Sequence, residues 1–306
     1  MIDAPRDAPT AGPPRAGSTA GPRPDRYAVI GHPIAHSRSP RIHAAFASAT
    51  GQHLEYGRID APPEGFGAAV CDFFDGGGRG LNVTLPHKEA AARLADRLTG
   101  RARLAGAVNT LARQADGTLL GDNTDGAGLT ADLGRLGIRV RGARVLVLGA
   151  GGATRGILGP LLDARPAQLV VANRTAARAA ALATEFGAMS HAADGSDRGI
   201  PVHGCGYDTL APTLAAGPFD LVIHATSLGL RGEVPPLPRG VVGPASVAYD
   251  LGYGADETPF VRWARAQGVT RAEQGLGMLV EQAAESFFLW RGVRPDTAPL
   301  HRTELP

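Results

Sequence analysis

The sequence has almost no lysine. Of its 31 basic residues Lys88 is the only lysine, and every other one is an arginine. A guanidinium cannot give up its proton at working pH, whereas an ammonium can. The plain explanation is a general drift of composition toward arginine that left one lysine behind. The residues around Lys88 therefore decide whether this amine was retained for its chemistry.

Cysteine is also scarce. Cys71 and Cys205 are the only two, they stand far apart, and neither belongs to a CxxC motif or a histidine cluster. This pattern argues against both a disulfide framework and a zinc site, so we expect no metal. Such cysteine usage fits a reducing compartment, and we expect the protein in the cytoplasm.

The chain lacks a strong charge imbalance and long apolar runs. The formal net charge is +2 and the charged residues are spread along the sequence, so no basic stripe points to nucleic acid. No apolar stretch approaches the length of a membrane span. The first 24 residues contain six prolines and three glycines without the apolar core of a secretory signal. We expect residues 1–25 to be a disordered extension and the protein to have no membrane partner.

Short apolar strands alternate with helices along the rest of the chain, which predicts an α/β fold. The first predicted strand is YAVIG at 27–31, followed by a helix over 39–51, and a later helix is predicted from Asp125 to about Leu136. Between them the pattern predicts the strands LEYGRI, GLNVTLP, AVNTLA and TLLGDN and the helix PEGFGAAVCDFF.

A second series of predicted strands begins with the apolar segment RVLVLG at 144–149. It continues with QLVVAN, DLVIHA and SVAYDL. Near-continuous apolar strands are typical of parallel sheets that are buried on both faces. We predict a doubly wound, Rossmann-like domain over 126–274. The last long helix, GLGMLVEQAAESFFLW, is predicted to pack back on the first domain. That domain, with a mixed sheet, would then comprise 26–125 and 275–306, with a cleft between the two domains.

The stretch VLGAGGATRG at 147–156 follows a strand and opens a helix. In that context Gly149 makes the tight turn, Gly151 lets a pyrophosphate approach the backbone, and the helix start supplies positive charge. The third glycine of the usual pattern is replaced, with Thr154 at that spacing. A purely structural turn is the alternative. The predicted cofactor-binding residues here are Gly149, Ala150, Gly151, Gly152 and Ala153.

The end of the next strand predicts which nucleotide binds. Domains that bind NAD tend to place an acidic residue there for the ribose 2′-hydroxyl, and this chain has Asn173. Arg174, Thr175 and Arg178 follow and could surround a 2′-phosphate. The alternative is an ordinary helix start with two solvated arginines. We predict NADP as the cofactor.

Polar residues of the first domain stand at strand ends. Ser37 and Ser39 lie where a helix begins, with Ser39 predicted as N-cap and Pro40 as the first helical residue, and they would suit a carboxylate. Asn82 and Thr84 alternate on one predicted strand and would share a face, and Asn109 would end another strand. Plain capping and an Asx turn in GDNTDG are the alternatives, and that segment lacks the ligand spacing of a calcium loop.

Lys88 and Asp125 form the predicted catalytic pair. Reduction of a ketone by hydride leaves an alkoxide, which must be protonated as it forms. An ammonium beside the carbonyl oxygen supplies that proton and stabilises the developing negative charge. An arginine could stabilise the charge but could not transfer the proton, so the retained lysine has a chemical reason.

These segments together closely resemble the shikimate dehydrogenase family. The matching motifs appear in the family's order over 27 to about 294, and they are GHPIAHSRSP, GLNVTLPHK, AGAVNTL, GDNTDG, GAGGATR, ANRT, HATSLGL, YDLGY and GLGMLVEQAA. The resemblance implies reduction of 3-dehydroshikimate to shikimate with NADPH on the route to chorismate and aromatic amino acids. It implies that Ser37 and Ser39 hold the substrate carboxylate and that Lys88 and Asp125 are catalytic. It further implies ring contacts from Asn82, Thr84, Asn109 and Gln282, with Tyr253 near the substrate and Thr226 and Gly275 near the nicotinamide.

The sequence departs from the family at two positions. His224 stands where the family usually has asparagine, and Leu230 replaces a methionine, which concerns the shape of the nicotinamide pocket. We expect His36 and His43 to be structural or solvated and His87 to face solvent. The alternatives left open are a quinate or aminoshikimate dehydrogenase of the same family and a non-catalytic NADP-binding sensor. The expected assembly is a monomer or a homodimer.

Overall fold

The computed structural model describes residues 23–194 and 199–302. The predicted disordered extension at 1–25 lies almost wholly outside the described residues, and the first strand already begins at Asp25. Across the described ranges, none of the helices combines the length and the apolar character needed to cross a membrane.

The first sheet is mixed, as the sequence predicted. Among the described residues it has six strands in the order β2-β1-β3-β5-β6-β4. Strand β1 runs parallel to β2 and β3, whereas β5 is antiparallel to both β3 and β6. Its elements are β1 (Asp25–Gly31), α1 (Ser39–Thr50), β2 (Leu54–Asp60), α2 (Phe66–Asp75), β3 (Gly78–Val83), α3 (Lys88–Leu94), β4 (Arg97–Leu98), α4 (Gly100–Ala105), β5 (Thr110–Arg113), β6 (Leu119–Asp122) and α5 (Asp125–Arg135).

The second sheet is parallel throughout its described strands, in the order β12-β11-β10-β7-β8-β9. This is a doubly wound order: strands β8 and β9 are added on one side of β7, and β10, β11 and β12 are added on the other. Its elements are β7 (Arg144–Leu148), α6 (Gly152–Asp163), β8 (Gln168–Ala172), α7 (Ala176–Asp194), β9 (Val202–Cys205), β10 (Leu221–His224), β11 (Val247–Asp250), α8 (Pro259–Ala266) and β12 (Arg271–Gln274). Complete burial of Val145, Leu146, Val147 and Leu148 explains why β7 reads as a continuous apolar run.

The chain returns to the first sheet through α9 (Leu276–Arg291), and a short helix α10 (Ala298–Arg302) follows. Val280 and Phe287 of α9 pack with Ile42 and Phe46 of α1 in one buried cluster. Trp290 also lies against Tyr27 of β1, with 4.8 Å between ring centroids. The prediction that the last long helix packs back on the first part of the chain is confirmed.

Three local predictions near the cleft are wrong by one or two residues. Ser39 is the first residue of α1 and Arg38 is its N-cap, so Ser39 does not cap the helix. Strand β3 ends at Val83, so Thr84 follows the strand. Asn109 precedes β5 instead of ending it. The short elements β4, α4, β9 and β12 were not predicted, since their sequences carry little apolar periodicity.

Candidate active site

A cleft of about 270 Å³ opens between the ends of the two sheets. It collects residues from both, because the loops that follow β3, β7 and β10 meet there. Every predicted catalytic and substrate-binding residue lines this one cleft: Ser37, Ser39, Asn82, Thr84, Lys88, Asn109, Asp125, Tyr253 and Gln282. Of the predicted cofactor-binding residues, Ala153, Thr226 and Gly275 line it as well.

Lys88 and Asp125 form an ion pair inside the cleft. The Lys88 Nζ lies 2.5 Å from Asp125 Oδ2, and the two side chains are 12% and 6% exposed. Lys88 is the first residue of α3 and Asp125 the first of α5, so two helix starts bring them together. The glycine-rich turn lies directly over the lysine, since a Cβ placed on Gly152 would be 3.1 Å from Lys88 Cβ. The base of the Lys88 side chain therefore packs against the glycine-rich turn.

The other oxygen of the Asp125 carboxylate is bound by Asn109. Asn109 Nδ2 donates to Asp125 Oδ1 at 2.9 Å and also lies within reach of Thr124 Oγ1 and Gln282 Oε1. On its other side, Asn109 Oδ1 accepts from the Thr124 backbone amide at 2.9 Å. The carboxylate is thus held at both oxygens, one by the amide and one by the ammonium.

Asn82 is held from both ends of its amide. Its Oδ1 accepts from the Tyr56 hydroxyl at 2.6 Å and from the ring of His43 at 3.1 Å, while its Nδ2 donates to Ser286 Oγ at 3.0 Å. Burial lowers the pKa of His43 to about 3, so its ring is neutral, and burial raises the pKa of Tyr56 well above its usual value. Both are therefore fixed hydrogen-bond donors behind Asn82.

Ser37 and Ser39 stand together at the start of α1. Ser37 Oγ lies 3.2 Å from Ser39 Oγ and accepts from the Ser39 backbone amide at 3.3 Å. Arg58 donates through Nε and Nη2 to the Ser37 carbonyl, which fixes the loop and brings positive charge beneath it. Across the cleft, the Arg38 guanidinium lies 5.8 Å from the ring centroid of Tyr253. Two hydroxyls with the Arg58 guanidinium behind them suit a carboxylate.

The glycine-rich turn joins β7 to α6. Gly149 has φ +116°, and a side chain there would meet the Ala225 carbonyl at 3.0 Å, so the turn requires glycine. Open space surrounds the position that a Cβ on Gly151 would occupy, which leaves that backbone accessible. Thr154, at the site of the missing third glycine, donates its buried hydroxyl to the Gly149 carbonyl at 3.0 Å. The turn is thus closed by a side chain.

The predicted phosphate-binding residues lie together beyond the end of β8, the strand beside β7. Arg174, Thr175 and Arg178 are exposed at the start of α7, and the side chain of Asn173 donates to the Thr175 carbonyl. They stand at the same edge of the sheet as the glycine-rich turn. A carboxylate comes close from the first part of the chain, because Glu89 Oε1 lies 4.0 Å from Arg178 Nη2.

His36, His43 and His87 differ in how far they are buried. His87 is buried, not solvent-facing as predicted, because its Nε2 bonds to the Ala61 carbonyl at 2.7 Å and its ring stacks on Phe66. His43 is structural, as expected, and His36 is exposed at the edge of the cleft. Leu230 lies outside the residues whose side chains the structure describes.

Three residues that lie behind the lining of the cleft, Tyr56, Arg58 and Ser286, were not predicted from the sequence. Tyr56 and Arg58 alternate on β2, and this spacing could have indicated a shared face beneath Ser37 and Ser39. Ser286 follows Gln282 by four residues on α9, which places both on one side of the helix. Without the position of α9, the spacing of Gln282 and Ser286 did not point to a site.

Three family models match the chain. They describe a shikimate dehydrogenase substrate binding domain at residues 29–111, a shikimate / quinate 5-dehydrogenase at 133–197, and a shikimate 5′-dehydrogenase C-terminal domain at 275–303.

Curated relatives match over nearly the whole chain. The shikimate dehydrogenase (NADP(+)) of Methylococcus capsulatus is 55% identical over 92% of this chain and 96% of the relative. The protein of the same name from Alkalilimnicola ehrlichii is 54% identical, covering 90% and 97%.

Solved structures share the fold. An Ael1 enzyme from Pseudomonas putida superposes with a TM-score of 0.77 at 48% identity, over 90% of this chain and 96% of that one. A shikimate 5-dehydrogenase from Thermus thermophilus, in complex with NADP(H) and shikimate, has a TM-score of 0.75 at 37% identity, with the same coverage.

Proposed function

The chain belongs to the shikimate dehydrogenase family, and from that membership we propose how its cleft performs the family's reaction. The protein is an oxidoreductase that catalyses the reversible NADPH-dependent reduction of 3-dehydroshikimate to shikimate, on the route to chorismate and the aromatic amino acids. The observation that carries the proposed mechanism is the buried pair of Lys88 and Asp125 beneath the glycine-rich turn.

Lys88 is the proton donor in this proposal. As the carbonyl carbon is reduced, its oxygen gains negative charge, and the Lys88 ammonium both stabilises that charge and passes its proton to the oxygen. Asp125 holds the amine in place and balances its charge, and Asn109 keeps the carboxylate oriented through its other oxygen. In the reverse direction the neutral amine accepts the proton from the alcohol.

The remaining polar residues bind the substrate. Ser37 and Ser39 hold the carboxylate, with Tyr56 and the positive charge of Arg58 close by. Ring hydroxyls are bound by Asn82, Thr84, Asn109 and Gln282, and Tyr253 closes the opposite wall. A lining of hydroxyl and amide groups suits a polyhydroxylated ring, because each buried polar group can exchange a protein partner for a substrate hydroxyl.

The residues of the second sheet fit NADP. The accessible backbone at Gly151 and the start of the 12-residue helix α6 suit a pyrophosphate, and Arg174 with Arg178 suits a 2′-phosphate. When bound, the reduced nicotinamide supplies the hydride. The chain's own contribution is to hold it through Gly149, Ala150, Gly151, Gly152 and Ala153 at the turn, Asn173, Arg174, Thr175 and Arg178 beyond β8, and Thr226 and Gly275 at the cleft.

The organisation of the whole protein is part of the proposal. Residues 26–125 and 275–306 would form the substrate domain and 126–274 the NADP-binding domain. We place the enzyme in the cytoplasm as a monomer or homodimer without nucleic-acid or membrane partners, in keeping with a net charge of +2.

A cofactor and substrate panel tests this function. We expect the purified protein to oxidise shikimate with NADP, with much slower turnover when NAD or quinate is substituted. The curated relatives do not favour quinate, aminoshikimate or a non-catalytic sensor. Binding of NADP without turnover of any of these substrates would instead favour the sensor.

Lys88→Ala tests the assigned proton donor. We expect kcat to fall about 100- to 10,000-fold, as for loss of a general acid, while the KM for NADP stays nearly constant. Lys88→Arg should fall similarly, because a guanidinium retains the charge but not the exchangeable proton. Arg93→Ala, an exposed residue of the same helix α3, is the matched control. An unchanged kcat in Lys88→Ala would remove Lys88 from the mechanism.

A further inference from the structure

His224 is a buried histidine that the catalytic mechanism does not use. It is the last residue of β10, is 1% exposed, and stacks on Phe260 with 4.8 Å between ring centroids. Both ring nitrogens have partners: Nδ1 lies 2.9 Å from Asp250 Oδ1 and Nε2 lies 2.5 Å from Thr226 Oγ1. One side chain thus connects the ends of two strands to a residue of the cleft.

Asp250 determines which way these hydrogen bonds run. It is the last residue of β11 and pairs with His224 across the parallel ladder. Its Oδ1 also accepts from the Gly252 amide at 2.9 Å, while Oδ2 has no hydrogen-bond partner within the described part of the chain. A carboxylate accepts only, so the His224 Nδ1 carries a proton toward it. Nε2 is then left to bond the Thr226 hydroxyl.

Thr226 passes this constraint to the wall of the cleft. Its Oγ1 accepts from the Leu228 amide at 3.3 Å and caps a 3₁₀ turn over Ser227–Arg231. Thr226, Ser227 and Gly229 all line the cleft, and Gly229 packs beside the imidazole, where a Cβ would be 3.7 Å from His224 Cε1. The position of this turn therefore depends on where the imidazole is held.

We propose that His224 is a positioning residue for the nicotinamide: anchored by Asp250, it holds Thr226 and the following turn as the wall against which the nicotinamide end of NADPH rests. The proposal rests on the proposed function only in assigning this wall to the nicotinamide. An asparagine at 224 would place its amide nitrogen near the Nδ1 position and retain the Asp250 bond, but it is too short to reach Thr226 as well. The imidazole spans both.

His224→Asn separates these two contacts. We expect the Kd and KM for NADPH to rise about 3- to 10-fold, as for loss of one hydrogen bond, and kcat to fall. The KM for 3-dehydroshikimate and the Kd of adenosine 2′,5′-bisphosphate, which lacks the nicotinamide, should stay within about twofold. Thr226→Val should reproduce the effect, and Thr226→Ser, which keeps the hydroxyl, should restore nearly normal values.

The same measurements can overturn the proposal. An unchanged Kd for NADPH in His224→Asn would do so, as would equal weakening of NADPH and adenosine 2′,5′-bisphosphate with a loss of Tm. If His224 and Thr226 act through one bond, the double variant His224→Asn with Thr226→Val is no worse than either single variant, and additive effects would exclude that bond. The two Kd values need no turnover, so failure of the proposed reaction would be recognised separately in the unmodified enzyme.

Discussion

At the scale of single residues, the site depends on how hydrogen bonds are shared around one carboxylate. Asp125 keeps one oxygen for the Lys88 ammonium because Asn109 occupies the other. Asn109 is in turn held by the Thr124 amide at its own oxygen. Each group is therefore oriented before any substrate enters, and preorganised donors of this kind cost no rearrangement during the reaction.

The neutral histidine behind Asn82 makes stability depend on pH. Burial lowers the pKa of His43 from 6.5 to about 3 in the folded protein. Below pH 6.5 His43 is protonated in the unfolded chain but stays neutral in the folded protein. Unfolding therefore becomes more favourable as pH falls. The free energy of unfolding therefore falls by about 1.4 kcal/mol per pH unit between pH 6.5 and pH 3. Below about pH 3 both states bind the proton, and His43 causes no further loss.

Replacement of His43 by glutamine tests this expectation. Its free energy of unfolding, measured by urea denaturation from pH 4 to 7, should depend on pH less steeply than that of the unmodified protein. Replacement of the exposed His36 by glutamine is the control and should leave the slope unchanged. Parallel curves for the unmodified protein and the His43 variant would contradict the assigned role.

At the scale of elements, helices α5 and α9 cross at very short range. A Cβ placed on Gly128 of α5 would be 2.6 Å from Gln282 Cβ and 2.9 Å from the Met278 carbonyl. Backbone and a buried side chain stand on the other side, so neither can give way cheaply. This close crossing places Gln282 beside Asn109 and Thr124.

Gly128→Ala should therefore affect both stability and substrate binding. We expect the free energy of unfolding to fall by about 1–3 kcal/mol, the usual range for overpacking, and the KM for shikimate to rise because Gln282 is displaced. Urea denaturation and steady-state kinetics measure the two effects. Gly134→Ala, on the same helix but surrounded by open space, should leave the KM unchanged and raise the free energy of unfolding by about 0.4–1 kcal/mol. Normal stability in Gly128→Ala would show that the helices can separate at little cost.

Sequence patterns predicted the elements unevenly, and the reason is physical. Buried strands such as β7 and β10 were predicted because both faces must be apolar. Strand ends at Thr84 and Asn109 were misplaced by one or two residues, because polar residues there bond to neighbouring strands and turns that no local pattern shows. The edge strand β9 has only half-buried or exposed side chains, so no apolar run marked it.

At the scale of the whole molecule, Arg155 links the parts of the chain that carry the two sheets. From helix α6 it donates to the Ala105 carbonyl at the end of α4 and makes two hydrogen bonds with the Glu185 carboxylate of α7, at 2.6 and 3.0 Å. Its side chain is only 20% exposed. Because α6 begins at Gly152, which packs against the base of the Lys88 side chain, this contact also helps to hold the glycine-rich turn beside α3.

Arg155→Met should loosen that arrangement. We expect a loss of about 1–3 kcal/mol in the free energy of unfolding, as for hydrogen bonds to a charged group, together with a lower kcat. Arg97→Met removes an exposed pair with Asp116 and is the matched control, with an expected change below about 1 kcal/mol. If the Arg155 and Arg97 variants unfolded at the same urea concentration, the proposed link would carry no stability.

The sequence by itself determined the α/β class and the doubly wound domain with its glycine-rich turn, and it predicted a catalytic role for the one lysine. These inferences depend on local periodicity and on side-chain chemistry. Only the tertiary structure decided what surrounds them. The roles of His43, Tyr56 and His224 depend on partners 26 or more positions away in sequence for the first two, and on the register of β10 with β11 for the third. Long-range packing brings such groups together, and no periodicity along the chain records it.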